Sequence, residues 1–183
     1  MSQHDHTPTR LEGTFVYLRA VRPADVRGGY GRWMRDPLVN QFLESRFHPV
    51  TEASLEAYVT RFQGDPYHAF LAVVAKDTDA HIGNVKLGPI DWNHRFAEIG
   101  LLIGERAYWG RGIATEVIRL VARYAFDQLH LHKVTAGCYS TNGAAIKAFE
   151  KAGFVHEGLR KKHCYCNGEY VDQVLLGLFG SDS

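Results

Sequence analysis

The chain has 183 residues, 45% hydrophobic and 22% charged, and a formal net charge of +1. That suffices for one sizeable core, and it offers neither the basic surface of a nucleic-acid binder nor the roughly 20 apolar residues of a membrane span. Cys138, Cys164 and Cys166 give an odd count without C-x-x-C spacing, so reduced thiols are expected, with no disulfide framework and no metal site.

The opening "MSQHDHTPTR" lacks an apolar signal core and reads as a flexible tail over 1–10, ahead of a single domain over 11–180 in a cytoplasmic protein. "TFVYLRAV" (14–21) is rich in β-branched and aromatic residues and predicts a strand, and Pro23 suits the first turn of a helix. In "TEASLEAYVTRFQ" (51–63), Leu55, Tyr58, Val59 and Phe62 share a helical face behind Thr51 as N-cap. "AFLAVVAK" (69–76), "HIGNVKLGPI" (81–90) and "FAEIGLLIG" (96–104) are separated by short polar turns and predict an antiparallel meander. From Ala114 the period changes, with Val117, Ile118, Val121, Ala122, Ala125 and Leu129 on one face of an amphipathic helix. "KVTAGCYS" (133–140) is a further strand, and residues 142–154 a helix begun near Asn142 and stopped at Gly153. Asn167-Gly168 between two strand-like runs predicts a hairpin. Trp33 and Trp92 are expected in the core or an interface rather than in a pocket.

The chemistry concentrates at "YWGRGIATE" (108–116). A glycine turn at a helix start leaves unpaired backbone N–H groups where the macrodipole is positive, and Gly110 and Gly112 let an anion approach with Arg111 beside it. The pattern is neither a P-loop nor the G-x-G-x-x-G fingerprint. With the later "YSTNGAAIKAFEKAGFVHEG", this turn resembles the GNAT family of N-acetyltransferases, whose hallmark is [QR]-x-x-G-x-[GA] at a helix start, then a strand and an Asn-led helix ending in "EKxGF". Trp109 stands where that hallmark has Gln or Arg, as in the branch resembling Rim-type protein N-terminal acetyltransferases.

The resemblance implies an α/β (α+β) fold with a mixed, mostly antiparallel sheet of about seven strands and about four helices, splayed between its fourth and fifth strands. Acetyl-CoA would enter the splay, its pantetheine against Leu102 and Ile103, its pyrophosphate on Trp109, Gly110, Arg111, Gly112, Ile113, Ala114 and Thr115. Asn142, Ala145 and Phe149 would complete the cofactor side. A thioester is attacked by a neutral amine, so a base is needed, and Glu98 is the carboxylate that the resemblance places nearest. The proton donors usual in the family are missing, since their positions hold Phe149 and Ala145; Tyr139 and Ser140 are the substitutes expected for the leaving thiolate, whose pKa of about 8.5 already makes it a fair leaving group.

For the acceptor, "DPLVNQFLESRFHPVT" contains the polar cluster Glu44, Arg46 and His48. "NQFLESRF" and "HIGNVKLGPID" look similar to bacterial enzymes that acetylate amino-sugar nucleotides, with Arg46 then meeting a nucleotide phosphate. The alternatives are a Rim-type N-terminal acetyltransferase, an enzyme of a small amine such as a polyamine or antibiotic, and a non-catalytic acyl-CoA sensor. A homodimer through the C-terminal hairpin is a further expectation.

Overall fold

A computed structural model of the chain describes residues 7–180, so most of the expected 1–10 tail lies outside the described residues. One eight-stranded sheet runs through the molecule. Its strands are β1 (Leu11–Glu12), β2 (Val16–Ala20), β3 (Ala69–Ala75), β4 (His81–Leu87), β5 (Phe96–Ile103), β6 (Lys133–Tyr139), β7 (Val155–Cys166) and β8 (Glu169–Phe179). The spatial order is β1-β2-β3-β4-β5-β6-β8-β7. Every pairing is antiparallel except that of β5 with β6.

The expected seven strands become eight because two-residue β1 pairs Leu11 with Leu18 and Glu12 with Tyr17. The splay expected between the fourth and fifth strands therefore lies between β5 and β6. The meander over 69–103 and the Asn167-Gly168 hairpin are as expected; both turn residues have positive φ, 51° and 90°, as a tight hairpin turn demands.

The helices are α1 (Pro23–Asp25), α2 (Gly31–Trp33), α3 (Pro37–Asn40), α4 (Glu52–Arg61), α5 (Ile113–Asp127) and α6 (Gly143–Ala152). A π-wound stretch, Val26–Tyr30, joins α1 to α2. Thr51 caps α4 through a reciprocal box with Ser54, and Asn142 caps α6 by accepting from the Ala145 N–H at 3.2 Å. The segment before α4 contains α3, started by the Asp36 side chain with Pro37 at its first position, and a 3₁₀ turn over Glu44–Phe47.

The sheet is covered on both faces. Alternation along β3 sends Leu71 and Val73 into one core with Ile82, Val117, Ile118 and Val121 beneath α5 and α6, and sends Phe70 and Val74 into another with Tyr30, Trp33 and Val59 beneath α1, α2 and α4. Trp33 is thus a core residue, as expected, and the Trp92 indole donates to the Pro66 carbonyl at 3.1 Å. Under the second core lies a polar network in which Arg19 forks onto Asp25 at 2.8 Å on both arms, while His81 sits against Asn84. At the open edge of the sheet, β7 is interrupted by two register shifts and carries Lys161 and Lys162, features that discourage addition of another strand.

Candidate active site

β5 and β6 pair at only three positions, Phe96↔Lys133, Ala97↔Val134 and Glu98↔Thr135, and then diverge. Glu98 therefore stands at the fork where the gap opens. The register with β4 decides which backbone groups of β5 face that gap. The Gly88 N–H donates to Glu98 and the Gly104 N–H to Ile82, so residues 98, 100, 102 and 104 bond toward β4. Leu102 is therefore turned away by its backbone, contrary to expectation, and Leu101 and Ile103 present theirs to the gap. The Ile103 carbonyl accepts the Trp109 indole N–H at 2.8 Å.

The glycine turn is as open as its sequence implies. Gly110 and Gly112 have φ of +73° and +79°, and a Cβ on either would meet no atom within 4 Å, which leaves the space above the α5 N-terminus free for an anion. Gly112 is itself the N-cap residue of α5 and, lacking a side chain, leaves that end without a side-chain cap. Arg111 is exposed, its guanidinium 5.3 Å from the Tyr108 ring centre. Ala114 and Thr115 are partly buried on the first turn, and Ile113 anchors it in the core.

Glu98 is open to the gap yet crowded by protein, and burial raises its carboxyl above the ordinary value, with Lys86 and Arg160 pulling the other way. It makes no ion pair with Arg95 among the described residues. The Lys86 ammonium is held at 3.1 Å by the Tyr58 hydroxyl, and Arg160 donates to Gln173 at 3.1 Å. Both cations were missed from sequence; only the strand pairings bring them to Glu98, Lys86 across from Gly100 and Arg160 across from Gln173.

Tyr139, Glu44 and Arg46, distant in sequence, come together. The Tyr139 hydroxyl donates to the Glu44 carboxylate and accepts from Arg46 at 3.1 Å. Arg46 also donates to the Leu43 and Tyr165 carbonyls and lies over Phe47, its guanidinium 4.1 Å from the ring centre. Burial first, then the bond to Glu44, pushes the Tyr139 hydroxyl up to about 12. Phe42, Cys164, Cys166 and Val171 pack around the same ring. His48 is exposed at the end of the 3₁₀ turn and does not join this cluster.

The other expected residues separate. Ser140 is exposed just past β6, its N–H bonded to the Asp172 carbonyl and its hydroxyl without a hydrogen bond among the described residues. Ala145 is partly buried, and Phe149 is a core residue 5.0 Å from the Phe154 ring centre. Cys138 is buried, and burial pushes its thiol up to about 12, which fits an inert strand cysteine.

The acetyltransferase (GNAT) domain model matches residues 16–155, which include the forked strands, the glycine turn and α6. The chain belongs to this family. The GNAT chain is 31% identical over 184 residues to the probable N-acetyltransferase YjcK of Bacillus subtilis, which covers 94% of the chain and 98% of that protein. It is 35% identical over 156 residues to a spermidine N(1)-acetyltransferase of Vibrio cholerae, covering 85% and 87% respectively. A solved spermidine N-acetyltransferase from Vibrio cholerae, in complex with CoA and spermine, superposes with a TM-score of 0.82 at 25% identity, over 92% of this chain and 98% of that one. The protein is accordingly an acyltransferase, an N-acetyltransferase of the GNAT type. No helix among the described residues is long and apolar enough to cross a membrane, and no group of three or more His, Cys, Asp or Glu side chains there could hold a metal ion.

Proposed function

We propose that this GNAT enzyme transfers an acetyl group from acetyl-CoA to a primary amine of a small, cationic acceptor of the polyamine kind. The observation that carries the reading is the placement of Glu98 at the fork of β5 and β6, with its carboxyl raised by burial. Acetyl-CoA supplies an activated carbonyl; the residues of the chain do the rest. Gly110, Gly112 and the free N–H groups of the first α5 turn fit a pyrophosphate, and the backbones of Leu101 and Ile103 fit a pantetheine arm laid beside β5 as an added strand. Glu98 accepts the proton of an incoming ammonium, directly or through a water, because a raised carboxyl is a better base near neutral pH.

Ser140, exposed just past the end of β6 and with no side-chain hydrogen bond among the described residues, serves as the donor to the leaving thiolate. Tyr139, tied to Glu44 and Arg46, positions the acceptor wall instead. Arg46 has its donors directed to Leu43, Tyr139 and Tyr165, and a nucleotide phosphate would have to displace them. The polyamine reading draws further support from the spermidine-acetylating relative. The amino-sugar nucleotide and N-terminal peptide acceptors find no such support among the relatives described.

The test is release of free coenzyme A, followed with a thiol reagent, over a panel of polyamines, amino-sugar nucleotides, N-terminal peptides and small amines, with Gly112→Glu as control. Turnover with polyamines that disappears in the control supports the reading. Selective turnover with a sugar nucleotide or a peptide replaces the acceptor class. Acetyl-CoA binding without turnover on any amine would make the protein a sensor.

A further inference from the structure

The strands of the described residues contain five glycines: Gly83, Gly100, Gly137, Gly158 and Gly177. Glycine weakens a strand interior and belongs there where another backbone, a side chain or a ligand comes close. Four of the five are answered by the protein. A Cβ on Gly83 would run into the Leu102 carbonyl, on Gly137 into the Gln173 amide and on Gly177 into the Glu157 carboxylate, and on Gly158 it would touch Leu175. A Cβ on Gly100 would meet no atom within 4 Å, and Gly100 is not among the glycines with positive φ. Neither crowding nor backbone conformation therefore accounts for it.

Strand alternation fixes where the empty space lies. Ala97 and Ile99 point into the core beneath α5 and α6, so Glu98, Gly100 and Leu102 face the α4 side, with Lys86 across from Gly100 on β4. Lys86 is the neighbour long enough to cover the glycine, but the Tyr58 hydroxyl holds its ammonium at 3.1 Å, and it lies 5.1 Å from the Phe62 ring centre. Leu102 packs against the second core instead. Gly100 is left exposed in mid-strand, beside the gap that opens after Glu98. The result is a well about one side chain wide: same-face neighbours along a strand stand about 6.6 Å away, and the one across about 5 Å.

We propose that Gly100 determines acceptor specificity: the first carbons of the acceptor lie on its bare backbone, which restricts the enzyme to primary amines on a slim, unbranched methylene chain. This rests on the polyamine reading above and deepens it. An amine whose nitrogen reaches Glu98 lays the following carbons over the next position on the same face, which is Gly100. A well of that width takes a methylene chain and excludes a branched one. The acetyl-CoA side is separate, because the Leu101 and Ile103 backbones turn to the gap while Gly100 bonds toward β4.

The test compares 1,4-diaminobutane with 2,3-dimethylbutane-1,4-diamine, whose amines keep the same CH2 neighbour, by release of coenzyme A in the wild type, Gly100→Ala and Gly100→Val. The unbranched diamine should exceed the branched one in kcat/KM by about 10- to 200-fold in the wild type, the range for misplaced carbon in a fitted pocket. Gly100→Val should lower kcat/KM for 1,4-diaminobutane by at least about tenfold, chiefly through KM, with Gly100→Ala between. Because the added atoms meet no protein atom, both variants should melt at or above the wild-type temperature and bind CoA unchanged in calorimetric titration. Equal use of the two diamines by the wild type overturns the proposal while the polyamine reading stands. So does a Gly100→Val variant that keeps wild-type kcat/KM, or one that loses CoA binding in step with activity. No turnover of either diamine by the wild type overturns both.

Discussion

Replacing Gly104 with alanine tests how the acceptor side of the molecule is fastened to the cofactor side. Gly104 follows β5 directly, and a Cβ there would stand 2.0 Å from Trp33 Cδ2, 2.3 Å from Cγ and 2.4 Å from Cε3, against an ordinary contact of 3.4–4 Å. The indole has little room to shift, because Gly29 packs against it as well: a Cβ built there would be 2.4 Å from Cζ2. The ring is 2% exposed, lies edge-on to His81 at 4.9 Å and donates to Glu105 at 2.9 Å. Overpacking costs about 1–3 kcal/mol, and an overlap this deep against a rigid ring belongs at the upper end, about 3 kcal/mol. At about 2–4 °C per kcal/mol for a chain of this size, the melting temperature should fall by about 6–12 °C. Thermal unfolding followed by circular dichroism measures it, and Gly104→Ala combined with Trp33→Leu should recover part of the loss. A single variant melting within about 2 °C of the wild type would show that the indole is not clamped and would refute the argument.

Glu98→Gln should lower kcat by about 10²- to 10⁴-fold at neutral pH, the usual range for losing a general base. Because burial raises the Glu98 carboxyl and only its ionised form accepts a proton, wild-type activity should climb with pH through a value above 4.5; retention of that limb in the Gln variant would assign it to another group. Tyr139→Phe should cost about 1–2 kcal/mol in stability, read from urea unfolding, while changing kcat less than Glu98→Gln does. With the Tyr139 hydroxyl near 12, the alkaline limb of the wild-type pH profile should be the same in that variant. Burial lowers the His81 pKa against the opposing pull of Asn84 and Asp25. The unfolded chain takes up that proton at about 6.5 and the folded chain only below it, so stability should decline as pH falls from about 6.5 through the folded value. His81→Gln should flatten the decline in a series of melting curves, and an equally steep series would refute the assignment.

The long elements were legible because their periods are clean: α5 buries Val117, Ile118, Val121, Ala122 and Ala125 as its spacing demands, and β3, β4 and β5 follow their apolar runs. The short ones were not. Two residues of β1 cannot display alternation, and the π-wound stretch through Gly28 and Gly29 has no helical stripe. The Asp36-Pro37 pair does carry a helix-start signal, although "PLVN" is too short to show a face. At the site, the glycine turn and Glu98 could be placed from sequence, because local chemistry marks the one and the resemblance the other. The meeting of Glu44 and Arg46 with Tyr139 depends on contacts spanning more than 90 residues, which no local pattern encodes.

The three-pair junction between β5 and β6 also fixes which amides are left without a partner. Beyond Glu98, every second N–H of β5 loses its neighbouring strand although it lies inside a sheet, so Leu101 and Ile103 resemble edge residues enclosed by the fold. Their solvent hydrogen exchange is governed by what fills the gap, while the alternating amides of Gly100 and Leu102 stay locked to β4. Exchange measured at those two pairs of neighbours turns the strand into its own occupancy gauge: protection spreading from the even positions to the odd ones marks a ligand lying along β5.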